Sequence, residues 1–157
     1  MACRFETKQR RKTNFTSWLH QRLLIFEHRS NLEKRMAPER KFYQKIKRNF
    51  TEFSLIRLEN NSLLGTPDLL VYNVNGHFFT IELKVTKSNK VTFSPHQISF
   101  HVRHPNNSFI LVEALGPRTV KLFRGSRILE LVACGLKLDA CATGLDACRL
   151  LLSELGA

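Results

Sequence analysis

The sequence predicts an α/β fold: one domain built on a central mixed sheet of four or five strands, flanked by helices. Three observations predict it. Apolar residues recur at helical spacing up to Phe50, then switch to strand-like alternation through the middle of the chain. Two strand-like runs, Asp68 to Val74 and His77 to Val85, are joined through Asn75-Gly76, a strong hairpin signal. Ser94-Pro95-His96-Gln97 then reads as the start of a helix between strands, with Ser94 as N-cap, Pro95 in the first turn and Gln97 as the capping-box partner.

The elements follow in order. Residues 1–12 are polar and basic and read as an arm. Thr13 or Asn14 can cap a first helix carrying Phe15, Trp18, Leu19, Leu23 and Phe26. Ala37-Pro38 opens a second, on which Glu39, Phe42, Tyr43, Ile46 and Phe50 share a face, so one carboxylate sits at the edge of an apolar stripe. Phe53 to Leu58 reads as a strand and Asn60 to Pro67 as a loop, followed by the hairpin. The Ser94 helix should stop near His104-Pro105. Strands at Phe109 to Val112 and Val120 to Phe123 flank a turn at Gly116-Pro117, and a helical tail should run from Ser126 to residue 157.

Charge is unevenly placed. Residues 1–48 hold 14 Lys/Arg against 4 Asp/Glu, and residues 49–157 hold 11 against 9, so +10 of the formal +12 lies in the first third. Basic side chains gain affinity for polyanions by displacing counterions from phosphates, which favours nucleic acid as partner. Arg10, Arg11, Lys12, Lys45, Arg48, Arg57, Lys87 and Lys90 are the candidate backbone contacts. No apolar run approaches the roughly 20 residues a membrane helix needs, and no secretory signal opens the chain, so an intracellular, cytoplasmic protein with no membrane partner is expected. Cys134, Cys141 and Cys148 recur every seven residues without a CxxC pair, which argues against zinc. With Leu138, Leu145 and Leu152 they would form one helical stripe for core or dimer packing. The six histidines form no HExxH pattern and are expected at the surface or at phosphates; GxSxG, P-loop and dinucleotide motifs are missing.

The chemistry concentrates in Gly65-Thr66-Pro67-Asp68, followed after thirteen residues by Glu82-Leu83-Lys84. Phosphodiester hydrolysis calls for a hard divalent cation, and two carboxylates suit magnesium, which retains several waters. Asp68 and Glu82 are the natural ligand pair. Glu82 and Lys84, two apart in a strand, project from the same face and set an ammonium beside the ion. Register decides whether this works. A two-residue turn at Asn75-Gly76 would set Asp68 opposite Leu83, on the wrong face; a three-residue connection, Val74 to Gly76, with Gly76 left-handed, sets it opposite Glu82. The three-residue connection is therefore expected.

This arrangement resembles the PD-(D/E)xK nuclease superfamily, and within it the VRR-type nucleases and phage or archaeal Holliday-junction resolvases, over roughly Glu39 to Val112. Arg57-Leu58-Glu59-Asn60 before the GxPD and Ser94-Pro95-His96-Gln97 after the ExK support it. The resemblance implies a restriction-endonuclease-like core and a magnesium-dependent DNA endonuclease, with manganese as a substitute. It implies metal ligation by Asp68, Glu82 and the Leu83 backbone carbonyl, catalysis by Lys84 with Gln97 beside the carboxylates, and a further acid, Glu39 or Glu59. Branched DNA is the expected substrate and a homodimer the expected assembly, since a symmetric junction needs two cuts. The alternatives are a site-specific duplex endonuclease, restriction-like or homing, and a catalytically silent nucleic-acid-binding protein.

Overall fold

A computed structural model describes residues 38–58 and 65–157. Residues 39–157 form a compact unit, organised as an α/β fold around a six-stranded sheet. Residues 38–49 are helical (α1). After it come β1 (Ser54–Arg57), β2 (Leu69–Tyr72), β3 (Phe78–Thr86), α2 (Pro95–Arg103), β4 (Ser108–Ala114), β5 (Thr119–Arg124), α3 (Ile128–Cys134), β6 (Ala142–Thr143) and α4 (Leu145–Ser153). The strands lie in sequence order across the sheet. All neighbours are antiparallel except β3 and β4. A parallel step needs a crossover, and α2 supplies it. Ser94 caps α2 as expected, its side chain accepting from the Gln97 amide while the Gln97 side chain accepts from the Ser94 N–H.

Strand alternation sends side chains to two cores. Phe79, Ile81 and Leu83 of β3 join Phe109 and Leu111 of β4, Phe42 and Ile46 of α1, and Cys148 and Leu152 of α4. On the other face Ile110, Val112 and Phe123 pack with Ile128 and Leu131 of α3, with Ile98 of α2 against them. This second covering stops short of the outer hairpin, where Ile56, Tyr72 and Phe78 are about half exposed. Among the described residues, that face, which also carries Glu82 and Lys84, is therefore open toward β1 and β2.

The hairpin has the expected register. Leu69 pairs with Ile81 and Tyr72 with Phe78, the connection is Val74 to Gly76, and Gly76 has φ +70°. Asn73 donates to the His77 carbonyl at 3.1 Å and its own carbonyl accepts from Gly76 at 3.1 Å, a three-residue loop whose left-handed position glycine fills without a Cβ penalty. Asn73 also ties the hairpin to the chain end. Its buried amide donates to the carbonyls of Leu155 at 2.7 Å and Leu152 at 3.1 Å, while Asn75 reaches Ser153 at 2.9 Å, so the last carbonyls of α4 find their partners in the β2–β3 turn.

The C-terminal third departs from the expected continuous helix. Gly135, at φ +61°, ends α3, and the short strand β6 intervenes before α4. The seven-residue cysteine spacing is thereby divided among an exposed Cys134 at the end of α3, a half-buried Cys141 outside any helix and a buried Cys148 in α4. No common stripe exists for a dimer to use. Glycine at a left-handed position outweighs the spacing of the apolar residues. Among the described residues no helix is long and apolar enough to cross a membrane.

Candidate active site

The site forms where β2 begins beside the middle of β3. Extending the Leu69–Ile81 pairing by one rung sets Asp68 across from Glu82. Because Asn73 and His77 form a hydrogen-bonded pair, rungs alternate from there, and the Asp68–Glu82 rung is a non-hydrogen-bonded one, where facing Cβ atoms stand closest, about 4.5–5.5 Å apart. The next rung would place Leu83 opposite Pro67. Proline has no N–H, so the Leu83 carbonyl meets no ladder donor there; the Leu83 N–H donates to the Asp68 carboxylate, reaching Oδ2 at 2.8 Å.

Glu82 is 1% exposed. Its Oε1 meets Lys84 Nζ at 2.9 Å and also accepts from the Gln97 side-chain amide. Gln97 therefore performs both expected roles, capping α2 with its oxygen and holding Glu82 with its nitrogen. Glu82 Oε2 is buried and has no hydrogen-bond partner among the described residues. Lys84 Nζ lies 3.9 Å from Glu39 Oε1 and 5.6 Å from the centre of the Phe93 ring. Of the two candidates for a further acid, Glu39 is at the site; Glu59 lies outside the described residues.

Three carboxylates share one close lysine. Burial pushes the Glu82 carboxyl up to about 8, the Asp68 charge adds to this, and Lys84 opposes it. Burial also raises Asp68, against the pull of the Leu83 N–H, Lys84 and Arg57, and it raises Glu39, with Lys84 opposing and Asp68 adding. Lys84 is raised as well, but by its neighbours and against burial. Burial disfavours its charge, yet Glu82 first, then Glu39 and Asp68, hold it above the usual lysine value. The two ends of the Glu82–Lys84 pair are thus unequal, because the lysine has three anions to answer and each anion has to share it. A cluster so short of positive charge, with a carboxylate oxygen buried and unpartnered, favours either a proton or a cation.

The donor set fits a hard divalent ion of the magnesium kind. Among the described residues no three His, Cys, Asp or Glu side chains form a metal cage. Magnesium does not ask for one, since one or two carboxylates with retained waters serve it. Asp68, Glu82 and the Leu83 carbonyl would hold the ion.

The basic residues divide. Lys45 is engaged by Glu113 at 2.8 Å, and Arg57 lies over the Tyr43 ring at 5.2 Å. Arg48, Lys87 and Lys90 are exposed. Arg10, Arg11 and Lys12 fall outside the described residues. The expectation that histidines stay at the surface fails at His101, which is 1% exposed and meets Ser108 Oγ through Nδ1 at 2.6 Å. It stands one helical turn beyond Gln97, on the same side of α2, and that spacing was the available signal. Compared with models of known protein families and with curated proteins, the chain matches none.

Proposed function

We propose that this chain is a metal-dependent endonuclease that hydrolyses DNA phosphodiester bonds, using magnesium, or manganese in its place. The observation that carries this is the buried Glu82 carboxylate, which holds Lys84 and Gln97 on one oxygen and keeps the other unpartnered, on the rung facing Asp68. A buried carboxylate oxygen that no protein group answers is open to a cation.

When bound, the divalent ion polarises the phosphate and eases attack by water. The protein's own groups do the rest. Asp68 is aimed by the Leu83 N–H and Glu82 by the Gln97 amide, so both carboxylates are oriented before substrate arrives. Lys84, held charged by its anionic neighbours, donates to a non-bridging phosphate oxygen or orients the water, countering charge that builds in the transition state. Glu39 keeps Lys84 near the phosphate. Arg48, Lys87 and Lys90 grip the DNA backbone together with the basic N-terminal third. Branched DNA is the substrate we favour, with the enzyme acting in the cytoplasm as a homodimer whose copies each make one cut.

The test is a cleavage assay on a four-way junction, a flap and a linear duplex, with magnesium and with a chelator. Magnesium-dependent cutting that Asp68→Ala abolishes, while DNA affinity stays within about threefold, is the expected result; threefold corresponds to about 0.7 kcal/mol, so the binding surface is intact. Equal cutting of all three substrates removes the preference for branches. Absence of magnesium-dependent cutting in the wild-type protein leaves a nucleic-acid-binding module and overturns the enzyme reading.

A further inference from the structure

Three buried polar side-chain atoms have no hydrogen-bond partner among the described residues: Thr80 Oγ1, Glu82 Oε2 and His101 Nε2. They are not scattered. Thr80 and Glu82 are two apart on β3 and project from the same face, about 7 Å apart along the strand. Gln97 and His101 are four apart on α2 and share its inner side, and Gln97 touches Glu82. His101 reaches Ser108 at 2.6 Å, and Ser108 is the ladder partner of Thr80 on the neighbouring strand. Hence α2 runs back along β3, setting Gln97 over Glu82 and His101 over the Thr80–Ser108 rung. Gly125 closes the far side, where any Cβ would collide with Ser108 Oγ and His101 Nδ1.

We infer that Thr80 Oγ1, Glu82 Oε2 and His101 Nε2 share one internal water, through which His101 acts as a positioning residue for the Glu82 carboxylate. Buried waters characteristically make about three hydrogen bonds to groups that otherwise lack partners, which is the number of atoms left over here. The donor count closes for either histidine tautomer. If Nδ1–H donates to Ser108, the water donates to Nε2 and to Glu82 and accepts from Thr80. If the Ser108 hydroxyl donates to Nδ1, the Nε2–H donates to the water, which donates to Glu82 and Thr80. In both cases an ionised Glu82 receives a hydrogen bond at Oε2, while Oε1 is held by Gln97 and Lys84. The carboxylate plane is fixed at both oxygens, and Oε2 keeps a lone pair for an incoming ion. Outer-shell contacts of this kind set metal affinity without touching the metal, typically by about 10–100-fold.

The positioning role rests on the proposed metal site; the water itself does not. A high-resolution crystal structure of the wild-type chain tests the water, which should lie about 2.7–3.2 Å from all three atoms. Direct pairing among those atoms, or an empty space between them, overturns the inference. Calorimetric titration with Mn²⁺ tests the role. Thr80→Val, which keeps the branched shape, should weaken binding about tenfold, Thr80→Ser should restore it to within about twofold, and His101→Gln should hold affinity better than His101→Leu. Unchanged Mn²⁺ affinity in a folded Thr80→Val overturns the role. If the wild-type protein binds no Mn²⁺, the metal-site reading itself fails, and the crystallographic result alone then upholds or removes the water.

Discussion

The two faces of β3 obey different rules. Phe79, Ile81 and Leu83 point to one side, where they are at most 3% exposed and join an apolar core. Thr80, Glu82 and Lys84 point to the other, where a hydroxyl and a carboxylate oxygen are buried without partners among the described residues and an ammonium stands among acids. A strand whose two faces were both like the second would not hold its register. The apolar face supplies what the polar face costs, because a one-residue slip would exchange the two sets of side chains. This contrast is sharpest at Phe79, fully buried and edge-on to Phe53 and Phe109. Phe79→Ala should lower unfolding free energy by about 3–5 kcal/mol in denaturant titration. A loss under about 1 kcal/mol would show that the strand is anchored some other way.

The opposite face should respond in rate and not in stability. Lys84→Met removes the ammonium while keeping the stem that lies by Phe93. Glu82 then stays protonated, so no unpaired buried charge is left behind. Single-turnover cleavage in magnesium should fall about 10²–10³-fold, with an unfolding midpoint shifted far less than in Phe79→Ala. Large destabilisation with cleavage intact would mean that the two faces share the structural burden.

Much of this contrast is legible in the sequence, because alternation in Phe79 to Val85 names the two faces and the requirement that Asp68 meet Glu82 selects the turn. Pro67 also carries readable information: with no N–H to donate, it marks where the ladder ends. The C-terminal third was misread for a physical reason. A seven-residue spacing is helical only if the backbone between its members stays helical, and Gly135 at φ +61° breaks it. His101 was misplaced because burial of one histidine depends on Ser108 and Gly125, which reach it from β4 and the turn after β5. The one local trace of such a long-range pairing is the helical spacing of His101 from Gln97.

A third prediction sits between the faces, at the turn that sets their register. Asn73 is 6% exposed, donates to two carbonyls at the end of α4 and accepts from the Asn75 and His77 amides. Asn73→Ala leaves these groups without partners and should cost about 1–3 kcal/mol. If register depends on the turn, cleavage should fall along with stability; a stable variant with full activity would assign register to the apolar face alone.

The smallest expected effect is the most specific to the polar face. A carboxyl with its pKa raised to about 8 in the folded chain, against about 4.3 when unfolded, binds more protons folded than unfolded between these values. Folding stability from this group is therefore fully present at low pH and declines as pH rises through about 8. Glu82→Gln, which cannot ionise, should flatten that decline in thermal melts without metal. A divalent ion competes with the same proton, so Mg²⁺ affinity should rise with pH by at most about tenfold per unit, or about 1.4 kcal/mol, and level off above about 8. Phe79→Ala should leave this profile unchanged, since it alters packing and not the charge around Glu82. An affinity independent of pH between 6 and 8 would mean that Glu82 is already ionised there, and that Lys84 outweighs burial and the two neighbouring carboxylates.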